Sequence, residues 1–385
     1  MIRICYVVDA PFLGGAEMYI SRLACALDGR RFSASLLMKA GGGDPQLGAW
    51  AARLRADGIA VFEAPMRLPF HPGDAAGVWR HFESHAPHIV HVNVPGPYDG
   101  QMGLVLPIAR ASGARTVVTE HLPMVTPLWK RAAVKRLAYR SLDLAVTMTR
   151  SNAKFLCEWQ GAPASRVRVV PNGVARSFGA DPVTGRSRRW ELGLRDHNVV
   201  VGYVGNILPH KGLRRLIEAV SRSAHRDVFY LLVVGSGPDE PACRQLALDR
   251  GLSDRIKFLG WQSYDEAEQI LGACDLLALP SSIEGLPYVV LEAMASRLPV
   301  LAGRVYGIPE VVDDGVTGIL VDPGSVEEIA AGLDRLAGDS ALRAAMGGAG
   351  RARFERDFTL ERQAGRMEQL YESLLHGGAD REASA

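Results

Sequence analysis

Two glutamates stand eight positions apart in the segment 280–295. Glu284 falls in a turn after the predicted strand Leu276–Leu279, and Glu292 lies about one and a half turns into a helix that Pro287 begins. The amides of a helix start favour a phosphate, whereas two carboxylates repel one. We therefore expect the carboxylates to bind sugar or ribose hydroxyls. The alternative is that Glu284 caps the helix and Glu292 is solvated.

A lysine stands at the start of another helix. The segment from Val201 to Gly212 is predicted to hold a strand, a turn with Gly205 and Asn206, and then Lys211. A lysine there opposes the helix dipole unless an anion is present, so Lys211 is a candidate clamp for a diphosphate. The alternative is an ordinary surface lysine. The G-x-x-x-x-G-K order of a P-loop is absent from this segment.

Three further turns follow predicted strands. Gly235 and the pair Gly14-Gly15 allow a backbone to approach a ligand closely. His121 follows the strand predicted for Thr116–Thr119. Because ligands of open α/β sheets bind at the carboxyl ends of the strands, His121 is either a ligand contact or a buried, hydrogen-bonded histidine.

Several kinds of chemistry are disfavoured by missing motifs. The G-x-G-x-x-G fingerprint of a dehydrogenase and the G-x-S-x-G elbow of a serine hydrolase do not occur. No D-x-D triplet or other acidic cluster has metal-ligand spacing, and a Pro separates His85 from His88 and His91. We therefore expect no metal site and no bound cofactor.

Short apolar runs alternate with segments of helical length along the whole chain. Runs that are apolar on both faces predict buried parallel strands, and their alternation with helices predicts doubly wound α/β sheets. The predicted strands are 2–8, 35–38, 89–94, 116–119, 144–147, 167–170, 199–204, 230–234, 256–259, 276–279 and 300–302. The predicted helices include 16–27, 75–85, 212–223, 241–250, 326–337 and 360–375.

The chain of 385 residues exceeds the roughly 250–300 residues at which single cores stop growing, so we expect two domains. A Gly- and Pro-containing linker at 171–198 separates them. We assign residues 1–175 to an N-terminal Rossmann-like domain and 176–355 to a C-terminal one. Residues 356–376 are assigned to a terminal helix, and 377–385 to a disordered tail.

Composition limits the partners. Lysine plus arginine exceed aspartate plus glutamate by 44 − 42 = +2, which gives no general attraction to nucleic acid. Five scattered cysteines, with no signal-peptide pattern and no transmembrane run in the sequence, lead us to expect a cytoplasmic location. The basic segment 129–140, with interspersed apolar residues, is either a peripheral contact to anionic lipid or a solvated helix.

With these residues assembled, the sequence resembles the retaining glycosyltransferases of the GT-B fold, in glycosyltransferase family 4 (group 1). Its E-x7-E element is matched by Glu284 and Glu292. Further matches are Ala293-Met294-Ala295, Gly307-Ile308-Pro309-Glu310, Asp314-Gly315-Val316-Thr317-Gly318 and Pro171-Asn172-Gly173-Val174. The resemblance implies two Rossmann-like domains facing across a cleft, with the C-terminal helix returning to the N-terminal domain.

The resemblance also implies an activity. It is the transfer of a sugar, with retention, from a nucleotide-sugar donor, UDP- or GDP-linked, to a glycan, a lipid-linked or a small-molecule acceptor. Cell-surface polysaccharide or glycoconjugate synthesis is the implied setting, and the reaction is implied to need no metal.

Carried over by position, the resemblance gives roles to individual residues. Glu292 would bind the donor ribose, Glu284 the hydroxyls of the transferred sugar, and Lys211 the diphosphate. Gly15 would approach the diphosphate from the other domain, and His121 would contact the sugar from the acceptor side. The remaining donor-binding residues are Gly205, Asn206, Gly235, Gly285, Leu286 and Tyr288.

Three positions depart from the family pattern. Asn206 replaces the usual arginine, so Lys211 must neutralise more of the leaving-group charge. Arg297 and Tyr306 stand where glycine is usual, and we expect both near the sugar pocket. Two other functions stay open: a sugar-nucleotide epimerase or hydrolase on the same architecture, and a nucleotide-sugar-binding protein without turnover.

Overall fold

The computed structural model describes residues 1–9, 13–40, 45–66, 72–96, 100–122, 124, 129–179 and 182–376. The chain divides into two compact units. The N-terminal unit comprises residues 1–172 together with the segment from Leu360 onward, and the C-terminal unit comprises residues 173–359. The tail predicted for 377–385 lies outside the described residues.

Seven parallel strands of the described residues form the sheet of the N-terminal unit, in the order β3-β2-β1-β4-β5-β6-β7. They are β1 (Ile2–Val8), β2 (Phe32–Lys39), β3 (Ala60–Ala64), β4 (Ile89–Val94), β5 (Arg115–Glu120), β6 (Leu144–Thr147) and β7 (Val167–Val169). Every position of β4 is buried, because helices cover a parallel sheet on both faces. The strand order reverses between β1 and β4, the point where open α/β sheets bind ligands.

Among the described residues before 172, six α-helices accompany this sheet. They are α1 (Gly15–Ala26), α2 (Pro45–Ala56), α3 (Pro72–His85), α4 (Gly100–Ala111), α5 (Trp129–Ser141) and α6 (Arg150–Glu158). Val90 and Val92 of β4 pack in one apolar cluster with Phe82 of α3 and Tyr139 of α5. The same cluster holds Cys5, which packs as a core residue.

The C-terminal unit repeats this architecture with a six-stranded parallel sheet in the order β10-β9-β8-β11-β12-β13. Its strands are β8 (Val199–Val204), β9 (Phe229–Val234), β10 (Ile256–Gly260), β11 (Leu276–Leu279), β12 (Val300–Gly303) and β13 (Gly318–Val321). Its helices are α7 (Pro182–Glu191), α8 (Leu213–Arg222), α9 (Glu240–Asp249), α10 (Tyr264–Gly272), α11 (Tyr288–Ala295), α12 (Val326–Gly338) and α13 (Ser340–Asp357). The strand order reverses between β8 and β11. Two doubly wound α/β units were predicted, and the prediction is confirmed.

The last helix, α14 (Leu360–His376), belongs to the N-terminal unit. The hydroxyl of its Tyr371 lies 3.2 Å from that of Tyr6 on β1 and 2.7 Å from Nδ1 of His91 on β4. Its Glu368 also accepts a hydrogen bond from the Arg31 guanidinium at 3.2 Å. The C-terminal helix thus returns to the N-terminal unit, as the resemblance implied.

Some element bounds differ from the predictions. The helix predicted for 360–375 is confirmed as α14, whereas the domain bound at 356 falls within α13, which continues to Asp357. Strands β3 and β13 were not predicted. Pro287 is the N-cap of α11 and not its first helical residue. Among the described residues, no helix has the length and apolar character needed to span a membrane.

Candidate active site

Two glycine turns meet at the carboxyl ends of β8 and β9. Gly205 has φ +147° and Gly235 has φ +124°, a backbone conformation that residues with a Cβ rarely adopt. A Cβ added to Gly235 would lie 2.1 Å from the Gly205 carbonyl oxygen. The amide of Gly205 donates to the Val234 carbonyl at 2.9 Å. Packing against the Gly205 carbonyl therefore requires glycine at 235, whereas glycine at 205 is favoured by its backbone conformation alone.

The lysine loop is locked against the turn that follows β11. Gly212 has φ +80°, and a Cβ added there would lie 2.2 Å from the Pro280 carbonyl oxygen. Ser282 donates its amide to the His210 carbonyl at 2.8 Å. The hydroxyl of Ser281 donates to the Lys211 carbonyl at 3.4 Å. The chain therefore places Lys211 beside the segment that carries Glu284.

Lys211 and Glu284 form an ion pair. Nζ of Lys211 donates to Oε1 of Glu284 at 2.6 Å, and the two side chains are 20% and 4% exposed. A carboxylate so deeply buried needs a cation or hydrogen-bond donors. Lys211 is therefore not an ordinary surface lysine, because its ammonium group pairs with a buried carboxylate.

The helix α11 begins four residues after Glu284. Leu286 and Glu292 are buried, so Glu292 does not lie on a solvated face. Because α11 begins at Tyr288, the positive end of its dipole lies close to the ion pair. Gly285, Leu286 and Tyr288 lie at this helix entry, where an anion is favoured.

Two groups beside the ion pair were missed by sequence reasoning. Partial burial and the neighbouring Lys211 charge lower the pKa of His210. Burial and the Glu284 charge raise the pKa of Tyr203, whose hydroxyl donates to the Asn206 carbonyl at 3.2 Å. The signal for His210 was its place next to Lys211. The side chain of Asn206 is exposed.

Two of the departures from the family pattern lie in left-handed backbone. Arg297 has φ +59° and Tyr306 has φ +43°, which explains why glycine is usual at both positions. Arg297 follows the last turn of the eight-residue α11, and a Cβ on Gly347 would lie 1.9 Å from its carbonyl oxygen. Arg297 therefore lies at the opposite end of α11 from the Glu284 turn.

Tyr306 lies nearer to the ion-pair segment. It follows β12, whose last residue, Gly303, approaches the Ser281 carbonyl so closely that a Cβ would lie 2.3 Å away. The Tyr306 side chain is 44% exposed. The loop that carries Tyr306 therefore begins where the end of β12 packs against the turn after β11.

In the N-terminal unit, Gly14 is the N-cap of α1, and Gly15 is the first residue of the helix. The Gly14 amide donates to Oε2 of the buried Glu17 at 2.9 Å. Oε1 of Glu17 is buried without a hydrogen-bond partner among the described residues. Burial raises the pKa of Glu17 to about 7. A carboxyl group thus lies directly behind the turn that was predicted to approach a diphosphate.

His121 follows β5 and is held from several sides. Its Nε2 lies 2.7 Å from Oδ1 of Asn93, and its ring meets the ring of Tyr19 edge-on at 5.0 Å between centroids. Asn152 donates from Nδ2 to the His121 carbonyl at 3.4 Å. Burial lowers the pKa of His121 to about 3, so the imidazole is neutral at physiological pH.

The predicted site residues therefore fall into two groups. The C-terminal unit brings together Lys211 and Glu284, with the remaining donor-binding residues on the adjoining turns and on α11: Gly205, Asn206, Gly235, Gly285, Leu286, Tyr288 and Glu292. The N-terminal unit holds Gly15 after β1 and His121 after β5, two strands that both pair with β4. Each group follows strands at the point where the strand order of its sheet reverses, or the strand next to that point. Their individual roles stay predictions.

A chain of two doubly wound α/β units with these strand orders is a protein of the GT-B class. The solved structure of HepE from Anabaena in complex with UDP superposes with a TM-score of 0.84 over 97% of this chain and 100% of that chain, at 22% identity. Sucrose-phosphate synthase from Thermosynechococcus elongatus gives a TM-score of 0.80 over 98% of this chain and 100% of that chain, at 21% identity. These likenesses show the fold.

Family models and relatives identify the group. Residues 13–178 match the model "Glycosyltransferase Family 4", and residues 186–353 match "Glycosyl transferases group 1". The GDP-mannose-dependent alpha-(1-6)-phosphatidylinositol monomannoside mannosyltransferase of Mycobacterium tuberculosis is 30% identical over 371 residues, 91% of this chain and 93% of that protein. The chain belongs to the group 1, family 4 glycosyltransferases, as the resemblance indicated.

Two further relatives differ in what their names say they act on. The 2-deoxystreptamine glucosyltransferase of Streptomyces kanamyceticus is 33% identical over 72% of this chain and 76% of that protein. A GDP-mannose-dependent monoacylated alpha-(1-6)-phosphatidylinositol monomannoside mannosyltransferase of Corynebacterium glutamicum is 36% identical over 214 residues. That match spans 53% of this chain and about half, 55%, of the Corynebacterium protein.

Proposed function

We propose that this protein transfers a hexose, with retention of anomeric configuration, from a UDP- or GDP-sugar to a glycan, lipid-linked or small-molecule acceptor in glycoconjugate synthesis. The observation that supports the proposal most directly is the ion pair of Lys211 with Glu284, 2.6 Å long, at the switch point of the C-terminal sheet. Relatives named for GDP-mannose and a structural neighbour solved with UDP support a nucleotide-sugar donor.

The reaction breaks the bond between the anomeric carbon and the diphosphate. Negative charge then develops on the leaving group, and positive charge develops on the sugar ring. We assign neutralisation of the diphosphate to Lys211, together with the positive end of α11. Glu284 would bind hydroxyls of the transferred sugar, and Glu292 those of the ribose. These groups fix the donor so that the acceptor oxygen can attack.

We further propose that the reaction needs no metal ion and no protein nucleophile. The lysine supplies a positive charge where the leaving group departs, and the departing phosphate oxygen can accept the acceptor's proton. Full activity after treatment with a chelator supports this proposal, and loss of activity that Mg²⁺ restores contradicts it. NMR of the product determines whether the anomeric configuration is retained.

The experiment that tests the activity combines donor screening with two variants. Unfolding temperatures are measured with UDP-, GDP-, ADP- and dTDP-sugars, because a ligand that binds only the folded chain raises the unfolding temperature. The stabilising donor is then supplied with and without acceptors to wild type, Glu284→Gln and Lys211→Ala. We expect product from wild type and strongly reduced turnover in folded variants. Wild-type rates in both variants would exclude the proposed site.

Product analysis separates this function from the alternatives. An epimerase or a hydrolase converts the donor without an acceptor, whereas a transferase needs one. A protein without turnover binds the donor and forms no product with any acceptor in a broad panel. Glycosylated acceptor as the main product therefore supports transfer against both alternatives.

We propose peripheral contact with anionic lipid through 129–140, with Trp159 as an addition from the structure. Leu137 is 70% exposed and Trp159 is 60% exposed, and the Arg136 guanidinium donates to the Trp159 carbonyl at 3.3 Å. Apolar side chains beside arginines suit an interfacial position. Lys135 does not contribute, because it is buried against Glu120 at 2.6 Å.

Sedimentation with anionic vesicles tests this contact. Binding at low salt that weakens at high salt and in Leu137→Glu supports it. Absence of binding at low salt contradicts it. We also propose a cytoplasmic location, supported by five cysteines that are all free thiols, since disulfides persist in oxidising compartments.

A further inference from the structure

Asn93 is a buried polar residue at the end of β4, and nothing in the sequence motifs singles it out. Its side chain bridges two other segments of the N-terminal unit. Nδ2 donates to the Ala16 carbonyl at 2.9 Å, and Oδ1 lies 2.7 Å from Nε2 of His121. Ala16 follows Gly15 in the first turn of α1. Asn93 therefore connects the two parts of the N-terminal unit that were predicted to meet the substrates.

These two hydrogen bonds determine the tautomer of His121. The Ala16 carbonyl only accepts, so the NH₂ group of Asn93 must face it and the amide oxygen must face His121. An amide oxygen also only accepts, so Nε2 of His121 must be the protonated nitrogen. In the neutral ring Nδ1 then has a lone pair and no proton. Nδ1 of His121 has no hydrogen-bond partner within the described part of the chain.

We propose that Asn93 is a positioning residue for glycosyl transfer, which holds His121 in the tautomer whose Nδ1 accepts a hydrogen bond from a substrate hydroxyl. The inference rests on the proposed function for its substrate. Its structural part, the tautomer, stands independently of that function. The chemical consequence is directional: His121 accepts from a hydroxyl and does not donate a proton to it.

The surroundings of His121 contain few charges that compete with this arrangement. From β4, the neutral His91 faces the same cluster, and burial lowers its pKa to about 3. From α1, the uncharged ring of Tyr19 contacts the His121 ring edge-on. The adjacent Glu120 is paired with Lys135 of α5 and bonded to the Tyr139 hydroxyl. Also on α1, Glu17 is bonded to the Gly14 amide.

The tautomer is tested by ¹⁵N NMR of the ligand-free chain labelled at histidine. The chain has ten histidines, and the His121 signals are identified by their loss in His121→Gln. We expect a protonated Nε2 and an unprotonated Nδ1 in wild type, and loss of this preference in Asn93→Ala. A protonated Nδ1 in wild type, or an unchanged tautomer in Asn93→Ala, overturns the proposal without requiring any activity.

The reaction is tested with Asn93→Asp as the second variant. A carboxylate still accepts from Nε2, but its charge favours the imidazolium, which has no acceptor left at Nδ1. We expect the acid limb of the pH–rate profile to move to higher pH. In Asn93→Ala we expect kcat/KM to fall about tenfold, the equivalent of one lost hydrogen bond. A purely structural role would lower the amount of folded protein without moving the acid limb.

Asn198 provides the matched control. It is a buried asparagine of the C-terminal unit whose Oδ1 accepts from the Arg195 amide at 2.8 Å. Asn198→Asp should leave the pH–rate profile of the folded fraction unchanged. Equal profiles for Asn93→Asp and wild type overturn the role of Asn93 in the reaction. A wild type that transfers no sugar refutes the proposed function, while the NMR result still determines whether Asn93 fixes the tautomer.

Discussion

Nζ of Lys211 lies 2.6 Å from Oε1 of Glu284, and this contact joins the turn after β8 to the turn after β11. The two residues are 73 positions apart in the chain. Without a donor, the lysine neutralises a carboxylate that is only 4% exposed. With a donor bound, the proposed roles need the lysine at the diphosphate and the glutamate at sugar hydroxyls. Each proposed ligand group would replace one partner of the pair.

The effects of substituting Lys211 and Glu284 on the free energy of unfolding should therefore not be additive. Lys211→Met should lower the free energy of unfolding by roughly 3 kcal/mol, because Glu284 stays buried without its cation. The double variant Lys211→Met with Glu284→Gln should cost clearly less than the sum of the two single variants. Urea unfolding of the four proteins gives the coupling energy.

The exposed pair of Arg304 with Asp314 is the control for this cycle. Its side chains are 53% and 43% exposed, so its coupling energy should be about 0–1 kcal/mol. If the Lys211–Glu284 cycle is additive, the buried pair does not exist in solution.

The left-handed backbone of Gly212 should tolerate no side chain. Gly212→Ala adds a Cβ that would lie 2.2 Å from the Pro280 carbonyl oxygen at φ +80°. We expect a loss of at least ~2 kcal/mol in the free energy of unfolding, and weaker donor binding because the lysine loop must shift. Gly348→Ala is the matched control in α13, where a Cβ meets nothing within 4 Å. The control should gain about 0.5–1 kcal/mol, and equal effects of the two changes would contradict the loop geometry.

Arg297 is expected to be a strained position. Arg297→Gly should raise the free energy of unfolding by roughly 0.5–1 kcal/mol, because glycine adopts φ +59° without a steric penalty. Arg297→Ala keeps the strain and removes only the exposed side chain, so it should give no gain. Thermal and urea unfolding of both variants test this. A gain in the alanine variant alone would mean that the side chain, and not the backbone, is unfavourable.

Glu17 should make stability depend on pH. Its folded pKa of about 7 exceeds the unfolded value of 4.5, so its contribution is fully present below pH 4.5 and is lost as pH rises through about 7. The loss amounts to at most about 3 kcal/mol. Glu17→Gln keeps an oxygen for the Gly14 amide and should remove this pH dependence.

The measurement is urea unfolding of wild type and Glu17→Gln at about pH 5 and about pH 8, on either side of the folded pKa. The free energy of unfolding of Glu17→Gln should equal that of wild type at about pH 5 and exceed it at about pH 8. Glu63→Gln is the control, because the Glu63 side chain is 49% exposed. If the free energy of unfolding changed with pH in the same way in Glu17→Gln and in wild type, the pKa of the Glu17 carboxyl group would not be raised by folding.

Periodicity predicted most of the fold but not all of it. The bounds of the buried, mainly apolar strands β4 and β8 were predicted without error. β13 begins with Gly318 and is only four residues long, and β3 carries Glu63. Short or partly polar edge strands are stabilised mainly by their neighbours, which a local pattern does not show.

The site was predicted in its residues but not in its contacts. The motifs indicated Lys211 and Glu284, yet their ion pair depends on Gly212 packing on Pro280, a contact between distant segments. Asn93 was missed, although a signal existed. In β4, His91 and Asn93 are the polar residues of a strand that is otherwise apolar, and their spacing of two puts them on one face. Buried polar residues at such a position need hydrogen-bond partners, and one partner of Asn93 is His121.

The proposed function depends on Lys211 binding the phosphate that leaves with the nucleotide. Calorimetry of UDP, UMP, GDP and GMP binding to wild type and Lys211→Ala tests it most directly, with Arg222→Ala as a control at the far end of α8. We expect Lys211→Ala to weaken binding of the preferred diphosphate about tenfold or more and to leave binding of the matching monophosphate nearly unchanged. Equal weakening of diphosphate and monophosphate, or no weakening of either, would contradict it.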